Sequence, residues 1–467
     1  MLGHICRRWR RIIFGSFRLY FTHGAPVLKT LVRWPALPII VEYGGSPAPD
    51  PLTPEDEDNI MAALEQSDRV CSITLTVTNP LLKKLSAIEG PFLKLEDLVL
   101  LSRDGVELTL PSAFGWSTRL RSLRLTRIAF FALPQLLYSS RKLVDLRLHE
   151  VFNPWLLSPE ALADALSGMA QLRSLSLHFL PTTDHWHTGP SLSSSKRFSL
   201  PFLTRLNFRG IAQYLEDLVV RIDAPHLGDI EVTFFNESIS DLSKSSEFID
   251  RIEIHKSHCR AYIQISERAL AISLTQPAAP TDTCLKLQLF CEPLSRQLDN
   301  IAHICSQISD VLFSVEDLHI NVTRSSSGQA HSDCEQWQGL ILYFSNTKSL
   351  HVAGAGDYST KIVDALQPSK GREDVLPVLQ KLRIREFGPR NVPLRKSVVS
   401  LMASHRLYGH PIVEYERLGI NGGGGTGSPY SRRQHQTLTC FEQYMFFTMS
   451  RSRCSPMTSF STYFGTI

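Results

Sequence analysis

The chain has 467 residues, 43% hydrophobic and 20% charged, with 26 Gly and 27 Pro, which excludes disordered and collagenous classes and is long enough for one solenoid or two to three compact domains. Its 49 basic and 45 acidic residues leave a formal charge of +4, so no single-sign field points to wholesale nucleic-acid binding. Nine cysteines, at 6, 71, 259, 284, 291, 305, 334, 440 and 454, form neither an even framework nor a CxxC pair, which predicts reduced thiols in the cytosol or nucleus.

In chain order, the first predicted element is a short amphipathic helix. Leu2, Ile5, Trp9, Ile12 and Ile13 lie near one face, and Arg7, Arg8, Arg10 and Arg11 take the other. No acidic residue precedes Glu42. The arginines sit where a signal peptide needs its apolar centre, and no run is long enough to span a bilayer, so neither secretion nor a membrane partner is expected. The basic face reads as a solvated surface, a transit helix or an anionic-surface patch.

A repeated pattern follows, with apolar residues at positions 1, 4 and 6. Its clearest copies are Leu95-Leu98-Leu100, Leu120-Leu123-Leu125, Leu143-Leu146-Leu148, Leu172-Leu175-Leu177 and Leu203-Leu206-Phe208. Weaker copies are Leu227-Ile230-Val232, Ile249-Ile252-Ile254, Val315-Leu318-Ile320, Leu350-Val352 and Leu379-Leu382-Ile384. The first six starts are separated by 25, 23, 29, 31 and 24 residues, bracketing the period of about 20 to 29 of leucine-rich repeats. The last two apolar residues alternate as a strand with one buried face requires, and the leading leucine closes the turn into it. Ser158-Pro159 followed by Leu162, Ala165, Leu166 and Met169 predicts a capped return helix. The fold class is therefore α/β: a leucine-rich-repeat solenoid, a curved parallel sheet with outer helices.

The pattern weakens between Ile254 and Val315, where 285–290 predicts another strand and 301–313 a helix, read as a degenerate continuation with a distinct domain as the alternative. Polar loops fall at 187–197 and 325–333, and the four glycines 422–425 mark a linker. The expected domains are residues 1–41, the irregular repeats 42–420, and a linker with an unstructured tail at 421–467.

Residues 4–20 and the following 31–45 resemble the closing part of the F-box and its adjoining segment in the large fungal family of F-box-like proteins. The matches are Ile5, Cys6, Arg7, Arg8, Trp9, Ile12, Ile13, Ser16 and Leu19. The resemblance implies a substrate receptor that links a captured protein to a Skp-type adaptor and a cullin ligase of the SCF type. The Leu-Pro and first helices of the F-box do not precede this segment, so an orphan repeat scaffold without adaptor binding is the alternative.

No enzyme motif stands out. His185 and His187 with Asp184 fall in a polar loop, and His255, His258 and Cys259 lack a second ligand pair at zinc-finger spacing. The glycine run lacks the Lys-Ser/Thr of a phosphate loop, and Ser117 lacks the flanking glycines of a nucleophile elbow. No catalytic residue, metal ligand or cofactor is expected. Function is expected on the concave sheet face, at Arg124, Arg147, His149, His178, Arg205, Asn207, Arg209, His319, His351 and Arg383, joined by Asp97, Thr126, Ser176 and Arg385. The middle of that face is predicted to be basic, which suits an acidic protein partner and not nucleic acid.

Overall fold

The computed structural model describes residues 19–22, 27, 30–31, 37–44, 52–88, 90–103, 114–115, 117–128, 133–151, 157–181, 197–235, 242–252, 260–276, 284–291, 294–323, 334–355, 357–367, 375–387, 392–407, 409 and 412–419. The chain separates into two compact units, Met1–Gly419 and Ile420–Ile467, and all described residues lie in the first. The helix expected at Leu2, Ile5, Trp9, Ile12 and Ile13, the histidine pairs at 185–187 and 255–258, and the glycine run fall outside the described residues.

The architecture grows from the leucine triplet. The N–H groups of Leu120, Leu143, Leu172, Leu203 and Leu227 bond to carbonyls three residues back, at 3.0–3.2 Å, so the leading leucine of each triplet closes a turn with its side chain buried. One residue on, the N–H groups of Val144, Arg173, Thr204 and Gly228 reach carbonyls of the preceding repeat, at Arg121, Val144, Arg173 and Thr204. Each turn is thus stacked on the one before, and the remaining two apolar residues enter a parallel strand.

The strands are β1 (Leu19–Phe21), β2 (Ile39–Tyr43), β3 (Val70–Val77), β4 (Asp97–Ser102), β5 (Ser122–Thr126), β6 (Asp145–Val151), β7 (Ser174–Phe179), β8 (Phe198–Ser199), β9 (Arg205–Gly210), β10 (Ile222–Asp223), β11 (Asp229–Phe234), β12 (Arg260–Ile265), β13 (Ala269–Thr275), β14 (Cys284–Phe290), β15 (Asp317–Val322), β16 (Ser349–Ala355), β17 (Lys381–Phe387) and β18 (Glu414–Gly419). β8 and β10 form a separate two-stranded patch, and the other 16 make one sheet. Across it Leu98, Leu123, Leu146, Leu175, Leu206, Ile230 and Leu285 stand in register, as do Leu100, Leu125, Leu148, Leu177, Phe208, Val232 and Leu287. All fourteen are buried, and the two ladders form the spine of the core.

The helices are α1 (Pro54–Leu64), α2 (Asn79–Ser86), α3 (Leu133–Ser139), α4 (Pro159–Ser167), α5 (Ala212–Val219), α6 (Ser243–Asp250), α7 (Leu294–Gln307), α8 (Ser309–Leu312), α9 (Cys334–Ile341), α10 (Tyr358–Ala365) and α11 (Val392–Leu407). Their apolar residues join the same core, and α3 to α6 touch in succession, as do α9, α10 and α11. In α4 the expected cap is present: Ser158 accepts a bond from the Ala161 N–H at 3.2 Å, with Pro159 at the first helical position. α1 opens with a capping box in which Thr53 and Asp56 each bond to the other's backbone N–H, at 3.1 and 3.2 Å. No helix among the described residues is long and apolar enough to cross a membrane.

The structure bears on three expectations. Among the described residues the sheet begins at Leu19, and β2 spans positions 41 and 42, with Ile39 and Val41 packed in the same core as the repeats. Of the copy Ile249-Ile252-Ile254, Ile249 lies buried in α6 and Ile252 just beyond it, while Ile254 falls outside the described residues. The sheet is also not parallel throughout. Its order runs β11-β14-β13-β12-β15, with β13 antiparallel to both neighbours and β14 and β12 parallel to β11 and β15. This three-stranded meander is laid down in reverse, its last strand next to the earlier repeats and its first next to the later ones.

Candidate functional site

Between the two buried residues of each repeat strand stands one that points to the opposite face, away from the helices. Strand register aligns these residues into a row running Glu42, Thr74, Val99, Arg124, Arg147, Ser176, Asn207, Glu231, Lys286, Ser273, Tyr262, His319, His351, Arg383 and Glu416. Its flanks carry His149, His178, Arg205 and Arg209. Thus all ten predicted face residues occupy the helix-free side.

Two polar clusters condense on this face. In the first, the rings of His149 and His178 stack with centroids 4.1 Å apart and an interplanar angle of 6°. Lys286 donates to Glu231 at 2.6 Å and the Asn207 amide donates to the same carboxylate at 3.3 Å, which leaves the Asn207 carbonyl to accept from His178 Nε2 at 2.9 Å. Ser176 Oγ shares a hydrogen bond with His149 Nε2 at 2.8 Å and lies 3.4 Å from His178 Nε2. One network of hydrogen bonds therefore crosses five adjacent strands. Burial pushes the His149 imidazole down to about 3, with His178, Arg124 and Arg147 adding to the shift. His178 is lowered by burial as well, against the opposing hydrogen bond from Asn207.

In the second cluster Asp317 and His319 lie two residues apart on β15, and His351 is the register partner of His319 on β16. Tyr262, His319 and His351 stack in sequence, with centroid separations of 4.6 and 4.2 Å. Arg260 Nε donates to Asp317 Oδ2 at 2.9 Å, and His319 Nε2 lies 3.2 Å from the same oxygen. Burial pushes the Asp317 carboxyl up, but the close approach of His319 and the Arg260 guanidinium outweighs it and holds the group at about 2. Burial lowers His351 to about 4, helped by His319 and the nearby guanidinium groups.

The predicted basic middle is more nearly balanced than expected. Arg147 pairs with Asp145 at 2.9 Å, Lys286 with Glu231, Arg260 with Asp317, and Arg383 with Glu414 and Glu416 at 3.3 and 3.0 Å. Arg209 lies over the Phe235 ring, 5.1 Å from its centroid. Arg124 and Arg205 make no ion pair among the described residues, although Asp145 and Asp229 act on them electrostatically from nearby. Glu231, Lys286, Arg260, Tyr262 and Asp317 do not stand out in the sequence. Glu231 and Asp317 sit between or beside the apolar residues of recognised triplets, which is the available signal; Tyr262 and Arg260 belong to the meander, where no triplet marks them.

The fold and the aligned polar face define an α/β solenoid of the leucine-rich-repeat type. No family model matches the chain, and no curated protein does. Among solved structures it is similar to the leucine-rich repeat-containing protein LegL7 from Legionella pneumophila, at 12% identity and a TM-score of 0.27, over 71% of this chain and 90% of that one.

Proposed function

We propose that the protein is a non-enzymatic receptor that captures a protein partner on its helix-free face. The observation that carries this reading is the row of polar and aromatic side chains held in register across strands β2 to β18. Such a surface is wide, pre-organised by the backbone ladder and studded with aromatic and Arg side chains, the types enriched at interface hot spots. Arg124 and Arg205, which make no ion pair among the described residues, favour an acidic patch on the captured protein. The nine scattered cysteines, without an even framework or a CxxC pair, favour a reducing compartment, cytosol or nucleus.

The finer part of the proposal concerns the first 41 residues. Their resemblance to the end of an F-box supports coupling of the captured partner to a Skp-type adaptor and a cullin ligase, with Leu2, Ile5, Trp9, Ile12 and Ile13 as the adaptor-facing or self-packing face. Catalysis would then be by proximity, with the bond chemistry done by the ligase. Affinity purification with mass spectrometry, on the chain with and without residues 1–41, separates the parts. The receptor reading expects one set of partners kept by both forms and lost on Arg124→Glu/Arg205→Glu; the ligase reading expects adaptor and cullin only with the full chain. Recovery of partners without any adaptor leaves an orphan scaffold, and recovery of no specific partner by either form overturns the receptor.

A further inference from the structure

We infer that the helix-free face holds a binding site for one divalent transition-metal ion of the zinc class, with Asp317, His319 and His351 as its ligands. A strand places residues two apart on the same side, so Asp317 and His319 project together from β15, and the parallel register sets His351 directly beside His319. The three donor atoms lie within 4.8 Å of one another. Tetrahedral coordination at about 2.0–2.1 Å requires donors roughly 3.3–3.5 Å apart, so side-chain rotation by about an ångström closes the set without moving the backbone.

Two of the three ligands also hold a buried donor atom that makes no hydrogen bond. Arg260 occupies Oδ2 of Asp317, whereas Oδ1 is buried without a hydrogen-bond partner. His319 Nε2, although close to Oδ2, is likewise buried and makes no aligned hydrogen bond. Two unsatisfied ligand atoms on neighbouring side chains are costly to keep dry, and one cation can satisfy both. Arg260 then acts on the carboxylate as the outer group that orients a metal ligand. Arg383 Nη1 donates to His351 Nε2 at 3.4 Å, a long bond that a bound ion would displace, and Glu414 and Glu416 already draw the guanidinium toward β18.

The donor chemistry selects the ion. Two imidazoles and one carboxylate suit zinc, nickel or copper; calcium and magnesium require more oxygen ligands than this site offers. Three protein ligands on a partly exposed face leave at least one position open, as in sites that bind a further ligand.

The test uses the full chain, stripped with a chelator and titrated with Zn²⁺ against a chromophoric competitor. One equivalent is expected to bind, at least about 30-fold more weakly in His319→Gln/His351→Gln, about 10-fold more weakly in Asp317→Asn, and unchanged in His149→Gln. Millimolar Mg²⁺ or Ca²⁺ should not displace it. Zinc-edge X-ray absorption of the unmutated protein, which does not depend on any variant folding, should show nitrogen and oxygen neighbours with imidazole scattering. Absence of stoichiometric binding, equal affinity in the folded double variant, or a sulfur-dominated shell would overturn the site.

Discussion

Tyr214 is fully buried, and its hydroxyl donates to the Leu157 carbonyl at 2.7 Å, joining α5 to the segment before α4. Its ring packs against Phe179 with centroids 4.6 Å apart. Tyr214→Phe keeps the packing and orphans the carbonyl, so a loss of about 1–2 kcal/mol is expected in urea unfolding; a neutral result would mean that water replaces the hydroxyl. His149 bears on acid sensitivity. Its folded value, about 3, lies below the roughly 6.5 of an unfolded histidine, so the unfolded chain takes up the proton first. The contribution is complete above about pH 6.5 and is lost progressively as pH falls toward 3. The groups facing the ring are His178 from β7 and Arg124 and Arg147 from β5 and β6. His149→Gln should flatten the fall in urea midpoint between pH 6.5 and 4; an unchanged slope would place the titrating groups elsewhere.

Between elements, the carboxylate of Glu216 in α5 is buried and accepts from the backbone N–H groups of Lys244 and Ser245, at 2.9 and 3.0 Å, and from the Ser245 hydroxyl. One repeat thus caps the first turn of the next repeat's helix, where negative charge and acceptors are both favoured. Glu216→Ala is expected to cost about 2–3 kcal/mol, with faster amide exchange in α6 first. Gln297 does similar work for the meander. Its buried amide donates to the Ser266 and Cys291 carbonyls at 3.1 and 2.6 Å, tying the turn before β13 and the exit of β14 to α7. Gln297→Leu should cost about 2 kcal/mol and raise exchange in β12 to β14 before the outer repeats.

The same elements differ in how plainly their residues announce them. The leucine repeats are legible because turn closure and strand burial impose one spacing, from Leu95 to Phe208, which ordinary helices do not reproduce over three positions. Ile249 opens its triplet from inside α6, since a helix also brings residues three apart to one face. The reversed meander is hidden for a different reason: alternation has the same period in either strand direction, so Ala269–Thr275 carries no sign of running backwards. The ten face residues are readable as flanking positions, whereas the union of Asp317, His319 and His351 depends on register between strands 32 residues apart in sequence, which spacing alone does not specify.

At the scale of the whole molecule, a repeat stack is expected to lose its end units one at a time, since each contacts mainly its neighbours. The meander breaks that rule. Pulled from the carboxyl end, the chain peels β18 to β15 as edge strands, but the next strand in sequence is β14, seated between β11 and β13; pulled from the amino end, the strand after β11 is β12, seated between β13 and β15. From either direction the load meets a strand bonded on both sides. Under tension the solenoid should therefore behave as two compliant arms joined by a latch. In single-molecule extension, a series of low-force events should precede one higher peak that frees residues 260–290 together, about 100 Å of contour at roughly 3.5 Å per residue. Uniform peaks throughout would show that the reversed strands bear no extra load. A solenoid built this way can yield at its ends while the sheet bearing Tyr262, beside the histidine cluster, keeps its shape.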